Sequence, residues 1–157
     1  MVGKCHDIEK VMDRMRRLCS RREYCSADIL KKAADALDGD DAKASEVLGR
    51  LVEEKYVDDL RYASAFARDK SAISGWGEVK IRYMLSAKGV SRDIIDRALD
   101  EIDSERAGIR LERLLENKWK SLKDDPQGRI KLIRFALGRG YGYDVVNSVI
   151  NDICKSR

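Results

Sequence analysis

The sequence predicts an all-α protein made of tandem three-helix repeats. Three observations favour this fold class: apolar residues recur at helical spacing, proline occurs only at Pro126, and a pattern of apolar residues and glycines repeats at a constant offset. β-branched residues form no alternating run, so strands have almost no support. We expect three helix-turn-helix-like units with nine helices, forming an elongated, curved molecule.

The composition is typical of helices that have one apolar stripe and a solvated remainder. Charged residues make up 38% of the chain and aromatic residues 6%, and the net charge of +4 permits contact with nucleic acid without predicting a polyanion binder. No apolar run approaches the roughly 18 residues of a membrane span, and charges occupy the first ten residues, where a signal peptide would be apolar. We expect a cytoplasmic monomer that makes no membrane contact.

Three predicted helices form the first repeat, residues 7–57. Helical spacing places six apolar residues on one face of the first helix: Ile8, Val11, Met12, Met15, Leu18 and Cys19. The second helix is predicted to begin with Ser26 as its N-cap and to end around Leu37, and the third covers roughly residues 42–55. Their register against the later copies needs a gap, so we treat this repeat as degenerate.

A turn at residues 56–59 precedes the fourth predicted helix. Its two aspartates, Asp58 and Asp59, are candidate caps for that helix, whose apolar positions are Leu60, Ala63, Phe66 and Ala67. The same turn is an alternative candidate for contact with a partner. We favour the structural role, because a carboxylate at a helix start accepts otherwise unpaired backbone N–H groups.

An offset of 51 residues is the most informative pattern in the chain. It relates Ile81, Met84, Leu85, Gly89, Ile94, Ile95, Leu99 and Ile102 to Leu132, Phe135, Ala136, Gly140, Val145, Val146, Ile150 and Ile153. Self-similarity of this length predicts a second repeat, residues 58–103, and a third, residues 104–155. Each would contain a tight turn in which Gly89 or Gly140 takes the left-handed conformation.

Two segments resemble the hallmark segments of the RecX family of regulators. The first is Leu51-Val52-Glu53-Glu54-Lys55-Tyr56-Val57-Asp58-Asp59, followed by Arg61, Tyr62, Ala63 and Phe66. The second is Gly75-Trp76-Gly77, followed by Ile81, Leu85, Lys88-Gly89-Val90 and Ile94-Ile95. Two departures stand out: Val57 replaces a common isoleucine or leucine, and Asp125-Pro126-Gln127-Gly128 replaces a second Gly-Trp-Gly.

The resemblance implies a protein that lodges in the groove of a RecA filament on single-stranded DNA. Such a regulator mainly inhibits its recombinase, and so limits recombination, DNA repair and the SOS response. We expect a mostly structural role for the hallmark residues Tyr56, Asp58, Asp59, Arg61, Phe66, Gly75, Trp76, Gly77 and Gly89. Trp76 either fills the seam between repeats or is exposed for a partner, and we favour the seam because glycines flank it.

Basic residues are the candidates for contact with the partner or with DNA, because a filament carries phosphates. The candidates are Arg14, Arg17, Arg21, Arg22, Lys80, Lys88, Lys131 and Arg139. The first three step by three and four along the first helix, away from its apolar face. Lys88 recurs as Arg139 before a turn glycine, where a cation also complements the helix dipole, so a binding role and a structural role are equally supported for this pair.

Catalytic, metal and cofactor sites have no support in the sequence. The one histidine, His6, lies near a terminus, the cysteines form no Cys-x-x-Cys pair, and neither a P-loop nor a Gly-x-Ser-x-Gly motif is present. We therefore expect reduced thiols, no cofactor and no enzymatic activity.

A direct DNA-binding regulator that inserts a helix into the major groove is the competing hypothesis. The helices after Gly89 and Gly140 begin with Val-Ser-Arg-Asp and Tyr-Gly-Tyr-Asp, which are mixed in charge rather than basic and amide-rich. This composition disfavours sequence-specific reading but is compatible with weak direct contact with DNA.

Overall fold

The structure, a computed structural model, describes the backbone of residues 3–155 and the side chains of residues 8–155. In that part of the chain it contains nine helices and no strand. The helices are α1 (Gly3–Arg21), α2 (Ser26–Ala36), α3 (Asp41–Glu53), α4 (Asp59–Ala72), α5 (Glu78–Ala87), α6 (Arg92–Asp100), α7 (Ser104–Leu122), α8 (Gly128–Gly138) and α9 (Tyr143–Lys155). The predicted all-α class is confirmed.

The 51-residue offset relates equivalent positions in the structure. The pairs Ile81 with Leu132, and Leu85 with Ala136, are buried in α5 and α8 respectively. Gly89 and Gly140 have φ angles of +77° and +92°, and Gly39 has +81° in the turn between α2 and α3. Each three-helix copy therefore places a left-handed glycine between its second and third helices. The exact bounds of the repeats, 7–57, 58–103 and 104–155, stay a prediction.

The chain folds into two compact units. The first unit comprises the chain up to Ala65 together with Leu85–Arg97, and the second comprises Phe66–Met84 together with the chain from Ala98 onward. The core of the first unit contains Val11, Met12, Met15, Ile29, Ala33, Leu37, Ala44, Val47, Leu51 and Val57. A core of the second unit contains Leu111, Leu115, Leu132, Ala136, Val146, Ile150 and Ile153. The apolar face predicted for α1 is thus the face that packs inward.

Helix α2 begins at Ser26 as predicted, but its N-cap differs from the prediction. Ser26 is the first helical residue rather than the N-cap, and Cys25 occupies the cap position without a side-chain hydrogen bond. The backbone N–H of Ser26 instead donates to Oδ1 of Asp59, at an N···O distance of 2.7 Å. The Ser26 cap prediction is wrong because Ser26 lies one residue inside the helix, where its own N–H needs an acceptor; a carboxylate 33 residues further along the chain supplies it.

The end of α3 is also earlier than the pattern indicated. The helix ends at Glu53, and Lys55 has a φ of +65°, which helical backbone does not allow. The N–H of Tyr56 then donates to the carbonyl oxygen of Leu51 at 2.9 Å, closing the helix in the manner of a Schellman turn. The hallmark turn at residues 56–59 therefore starts directly from a helix C-terminus.

Candidate functional site

Three exposed arginines, Arg14, Arg17 and Arg21, form a strip along α1, which we call the arginine strip. They lie on the solvent side of the helix, whose opposite side buries Met12 and Met15 at 0% and 1% exposure. None of the three has a hydrogen-bond or ion-pair partner among the described side chains. The helix thus leaves the strip uncompensated in the described part of the protein.

Arg16 lies between Arg14 and Arg17 in sequence, but it forms ion pairs with acidic side chains. Its guanidinium contacts both carboxylate oxygens of Glu54, at 2.8 and 3.1 Å, and Oδ1 of Asp13 at 3.1 Å. The hydrogen bond with Glu54, ahead of the other contributions, raises the pKa of Arg16. Sequence reasoning missed this pair, because its two residues are 38 positions apart and no local pattern connects them.

A shallow open cleft runs beside the arginine strip. It is lined by Asp13, Arg16, Arg17, Ser20, Arg21 and Tyr56. The Ser20 hydroxyl donates to the backbone oxygen of Arg16 at 2.8 Å, and Tyr56 packs partly against the core of the first unit. The fold therefore brings one hallmark residue, Tyr56, next to two of the predicted binding arginines.

The remaining basic candidates make contacts within the protein. The Arg22 guanidinium lies 4.3 Å from the centre of the Tyr24 ring, and the ammonium of Lys80 lies 4.3 Å from that of Trp76. The ammonium of Lys131 lies 2.6 Å from Oδ2 of Asp125. Their role in binding a partner stays a prediction, but each side chain has a structural contact that the arginine strip lacks.

Lys88 and Arg139 each reach back from a glycine turn to an earlier part of the chain. Nζ of Lys88 lies 3.1 Å from Oδ2 of Asp28, near the start of α2. Nη1 of Arg139 donates to the backbone oxygen of Ser74 at 3.1 Å, just before α5. Each recurrent cation thus contacts an earlier part of its own compact unit, Lys88 through a carboxylate and Arg139 through a backbone oxygen. These contacts give both residues a structural role, and a binding role for the pair stays a prediction.

Both hallmark aspartates accept backbone hydrogen bonds, but at different helices. Oδ1 of Asp58 accepts from the N–H of Arg61 at 3.0 Å and caps α4, whereas Asp59 accepts from Ser26 and caps α2. Arg61 in turn donates to Glu23 and to the backbone oxygen of Tyr56. The hallmark segment therefore joins α2, the end of α3 and the start of α4.

The Gly75-Trp76-Gly77 segment packs against the turn that precedes α9. The N–H of Gly77 donates to the oxygen of Arg139 at 2.8 Å, and a Cβ on Gly77 would lie 2.5 Å from the oxygen of Gly140. The hydroxyl of Tyr141 donates to the oxygen of Gly75 at 3.0 Å. This close backbone approach explains why glycine occupies position 77.

Trp76 itself is half-buried rather than fully exposed. Its ring packs edge-on against Phe66, with 6.2 Å between ring centres, and the ammonium of Lys70 lies 4.7 Å from its centre. It also lines a mostly apolar cleft of about 450 Å³ together with Gly77, Ile81 and others. These contacts lie in the second unit, and the placement of Trp76 in the seam between repeats stays a prediction.

The described residues contain neither a metal-binding group nor a membrane-spanning helix. Among them, no three His, Cys, Asp or Glu side chains come together as a group that could hold a metal ion. Cys19, Cys25 and Cys154 are free thiols, whereas Cys5 and His6 lie outside the described side chains. None of the described helices combines the length and the apolar character that crossing a bilayer demands.

Two family models match the chain in succession. The second three-helix domain of RecX matches residues 58–99, and the third three-helix domain of RecX matches residues 110–150. Together these regions span more than half of the chain.

Curated relatives and a solved structure agree with these matches. The regulatory protein RecX of Clostridium botulinum (strain Eklund 17B / Type B) is 37% identical over 72% of this chain and 54% of its own length, so the chain spans about half of that relative. The regulatory protein RecX of Chlorobium phaeobacteroides (strain BS1) is 30% identical over 96% of this chain and 97% of its own length.

The crystal structure of RecX from Lactobacillus salivarius superposes with a TM-score of 0.86, covering 95% of this chain and 97% of that one. At 22% sequence identity this likeness shows the shared fold. Two consecutive domain matches and a relative that aligns over almost its whole length together carry the family assignment. The chain belongs to the RecX family of regulatory proteins.

Proposed function

We propose that this chain binds a RecA-type recombinase filament on single-stranded DNA and mainly inhibits its activity in recombination, DNA repair and the SOS response. The observation that carries the proposal is the succession of the second and third RecX domains in the chain. The protein acts by binding and catalyses no reaction of its own, as a cytoplasmic monomer without a cofactor. Any ATP turnover in the assembly belongs to the recombinase.

The surface chemistry is compatible with this role. A regulator that binds a DNA-containing filament gains from cations that are free to meet phosphates, and three arginines without a partner among the described side chains lie side by side on α1. The arrangement needs no convergent set of nucleophile and base, because binding alone can restrain a filament.

ATP hydrolysis by purified recombinase on single-stranded DNA is the direct test. Adding the full chain at amounts stoichiometric with the recombinase should lower the hydrolysis rate and slow strand exchange. The chain alone, with DNA and ATP, serves as the control and should release no phosphate. Unchanged hydrolysis at stoichiometric amounts would rule out the proposal.

The direct DNA-binding alternative predicts a different result. A helix inserted into the major groove gives a sequence-specific footprint on duplex DNA in the absence of any recombinase. The proposed filament regulator leaves no such footprint, so the two functions are separated by one protection experiment.

A further inference from the structure

We infer that the arginine strip and its cleft form a contact surface for the phosphate backbone of single-stranded nucleic acid. The inference deepens the proposed function and rests on it for the presence of that DNA in the assembly. It assigns the contact to α1, outside the two regions that match the family's domain models.

The first argument is the selective pairing of arginines on α1 and its neighbour α3. Arg16 is held by Glu54 and Asp13, and Arg50 on α3 lies 2.9 Å from Oε1 of Glu9. The chain has 28 acidic residues, and the fold uses several of them near this surface while leaving the strip without a partner among the described side chains. The guanidinium groups of the strip, unlike those of Arg16 and Arg50, are therefore available to an external anion.

The spacing of the strip provides the second argument. Residues 14, 17 and 21 follow one helix face, and at 1.5 Å per residue the first and last lie about 10 Å apart along the axis. That length is enough for the three guanidinium groups to meet adjacent phosphates of one strand rather than a single anion. Arginine presents a planar fork of donors that matches phosphate geometry, so a row of three can follow a strand.

The polar character of the surface is the third argument, and it favours nucleic acid over a protein partner. Protein interfaces have an apolar, charge-depleted centre. Among side chains 8–155, none of the large exposed hydrophobic residues lies on α1. The cleft beside the strip is instead lined by three arginines, Ser20, Tyr56 and one carboxylate, that of Asp13, which is paired with Arg16.

The test measures binding of a fluorescent oligothymidylate to the full chain without recombinase, over a range of salt concentrations. The variant R14A/R17A/R21A should bind at least about tenfold more weakly at low salt. Log affinity decreases with log salt, and the steepness of that decrease should be smaller by about 2 in the variant, since it lacks three phosphate contacts that contribute about 0.7 each on a single strand. Alanine favours helix, so circular dichroism should show unchanged folding.

A matched control removes the same charge elsewhere. Arg68, Arg97 and Arg113 are exposed on α4, α6 and α7 and have no partner among the described residues. The variant R68A/R97A/R113A should keep the wild-type salt slope. A second variant, R14K/R17K/R21K, keeps the charge and should keep most of that slope.

Three other outcomes would overturn the inference. Equal losses in both alanine variants would mean that affinity follows net charge rather than the strip. An unchanged slope in R14A/R17A/R21A, or no binding of the wild-type chain at low salt, would remove the phosphate contact. Lost inhibition of the recombinase with unchanged DNA binding would assign the strip to a protein contact, leaving the proposed function intact. If the wild-type chain did not inhibit the recombinase at all, the proposed function itself would be wrong.

Discussion

Nζ of Lys88 lies 3.1 Å from Oδ2 of Asp28 across a sequence separation of 60 residues, and the thiol of Cys25 donates to the backbone oxygen of Lys88 at an S···O distance of 3.7 Å. These contacts hold the turn before α6 against the start of α2. The turn before α9 is held against the segment that precedes α5, where Arg139 donates to the backbone oxygen of Ser74. The recurrence of a cation before each turn glycine therefore has a structural explanation.

The Lys88–Asp28 pair should contribute little to stability at neutral pH and moderate salt. Both side chains are at least one-third exposed, and exposed ion pairs contribute about 0.2–1 kcal/mol. A double-mutant cycle with K88A and D28A, measured by urea unfolding, should give a coupling free energy in that range, decreasing with added salt. A coupling above about 2 kcal/mol would contradict this account.

The same pair has a defined pH dependence. The hydrogen bond with Asp28 raises the pKa of Lys88. The stabilisation is therefore complete below the ordinary lysine pKa of about 10.4 and is lost as the pH rises through the raised value. Unfolding midpoints of the wild type and of K88A should therefore differ by a constant amount below about pH 10 and approach each other as the pH rises further.

Arg139 should contribute more than Lys88. Its guanidinium donates to a backbone oxygen in a partly buried setting, and hydrogen bonds to charged groups contribute about 1.5–3 kcal/mol. We expect R139A to lower the free energy of unfolding by about 1–2 kcal/mol, more than K88A does under the same conditions. Equal losses of unfolding free energy for R139A and K88A, measured by urea unfolding, would contradict the expectation that the more buried contact contributes more.

Asp58 and Asp59 should both stabilise the fold, each through a different helix. D58A removes the cap of α4 and D59A removes the acceptor at the start of α2, so each should cost about 1 kcal/mol. The conservative variants D58N and D59N retain an accepting oxygen and should recover much of that loss. Thermal melts check the values. An unchanged melt for the double alanine variant, with lost filament binding, would assign the turn to partner contact.

Gly140 should tolerate no side chain. Its φ of +92° disfavours other residues, and a Cβ there would lie 2.1 Å from Cβ of Lys80. We expect G140A to lower the free energy of unfolding by more than about 2 kcal/mol, from left-handed strain plus the clash. Gly49, inside α3 with no atom near its would-be Cβ, is the matched control: G49A should raise stability by about 0.5–1 kcal/mol. A neutral G140A melt would contradict the close contact.

Asp125 should give the protein part of its sensitivity to acid. The hydrogen bond with Lys131, then that from the backbone of Gln127, lowers the pKa of Asp125. Its stabilisation is present above the ordinary carboxyl pKa, about 4, and is lost as the pH falls through the lowered value. D125A should therefore flatten the fall in melting temperature between pH 4 and pH 2. D124A, at an exposed neighbour, should leave the fall as steep as in the wild type.

The helices and the repeat could be predicted from local patterns. Helical spacing in α1 and the 51-residue offset depend on residues close in sequence or on equivalent positions, and burial of Met12, Met15, Ile81 and Leu132 agrees with them. Periodicity was less informative about the edges of the cores: Met84 and Val145, both within the offset pattern, are 36% and 51% exposed. A pattern gives the face of a helix but not how far a neighbour covers it.

By itself the sequence determined an all-α fold with a repeated three-helix unit, turn glycines at fixed places and a row of arginines on one helix face. Only the tertiary structure decided that Asp59 caps α2 instead of α4, that Arg16 is paired, and that Arg14, Arg17 and Arg21 have no partner among the described side chains. The reason is physical: helix formation follows backbone and apolar periodicity within a few residues. The partner of a charged side chain depends instead on which distant carboxylate the packing of other helices brings within about 3 Å.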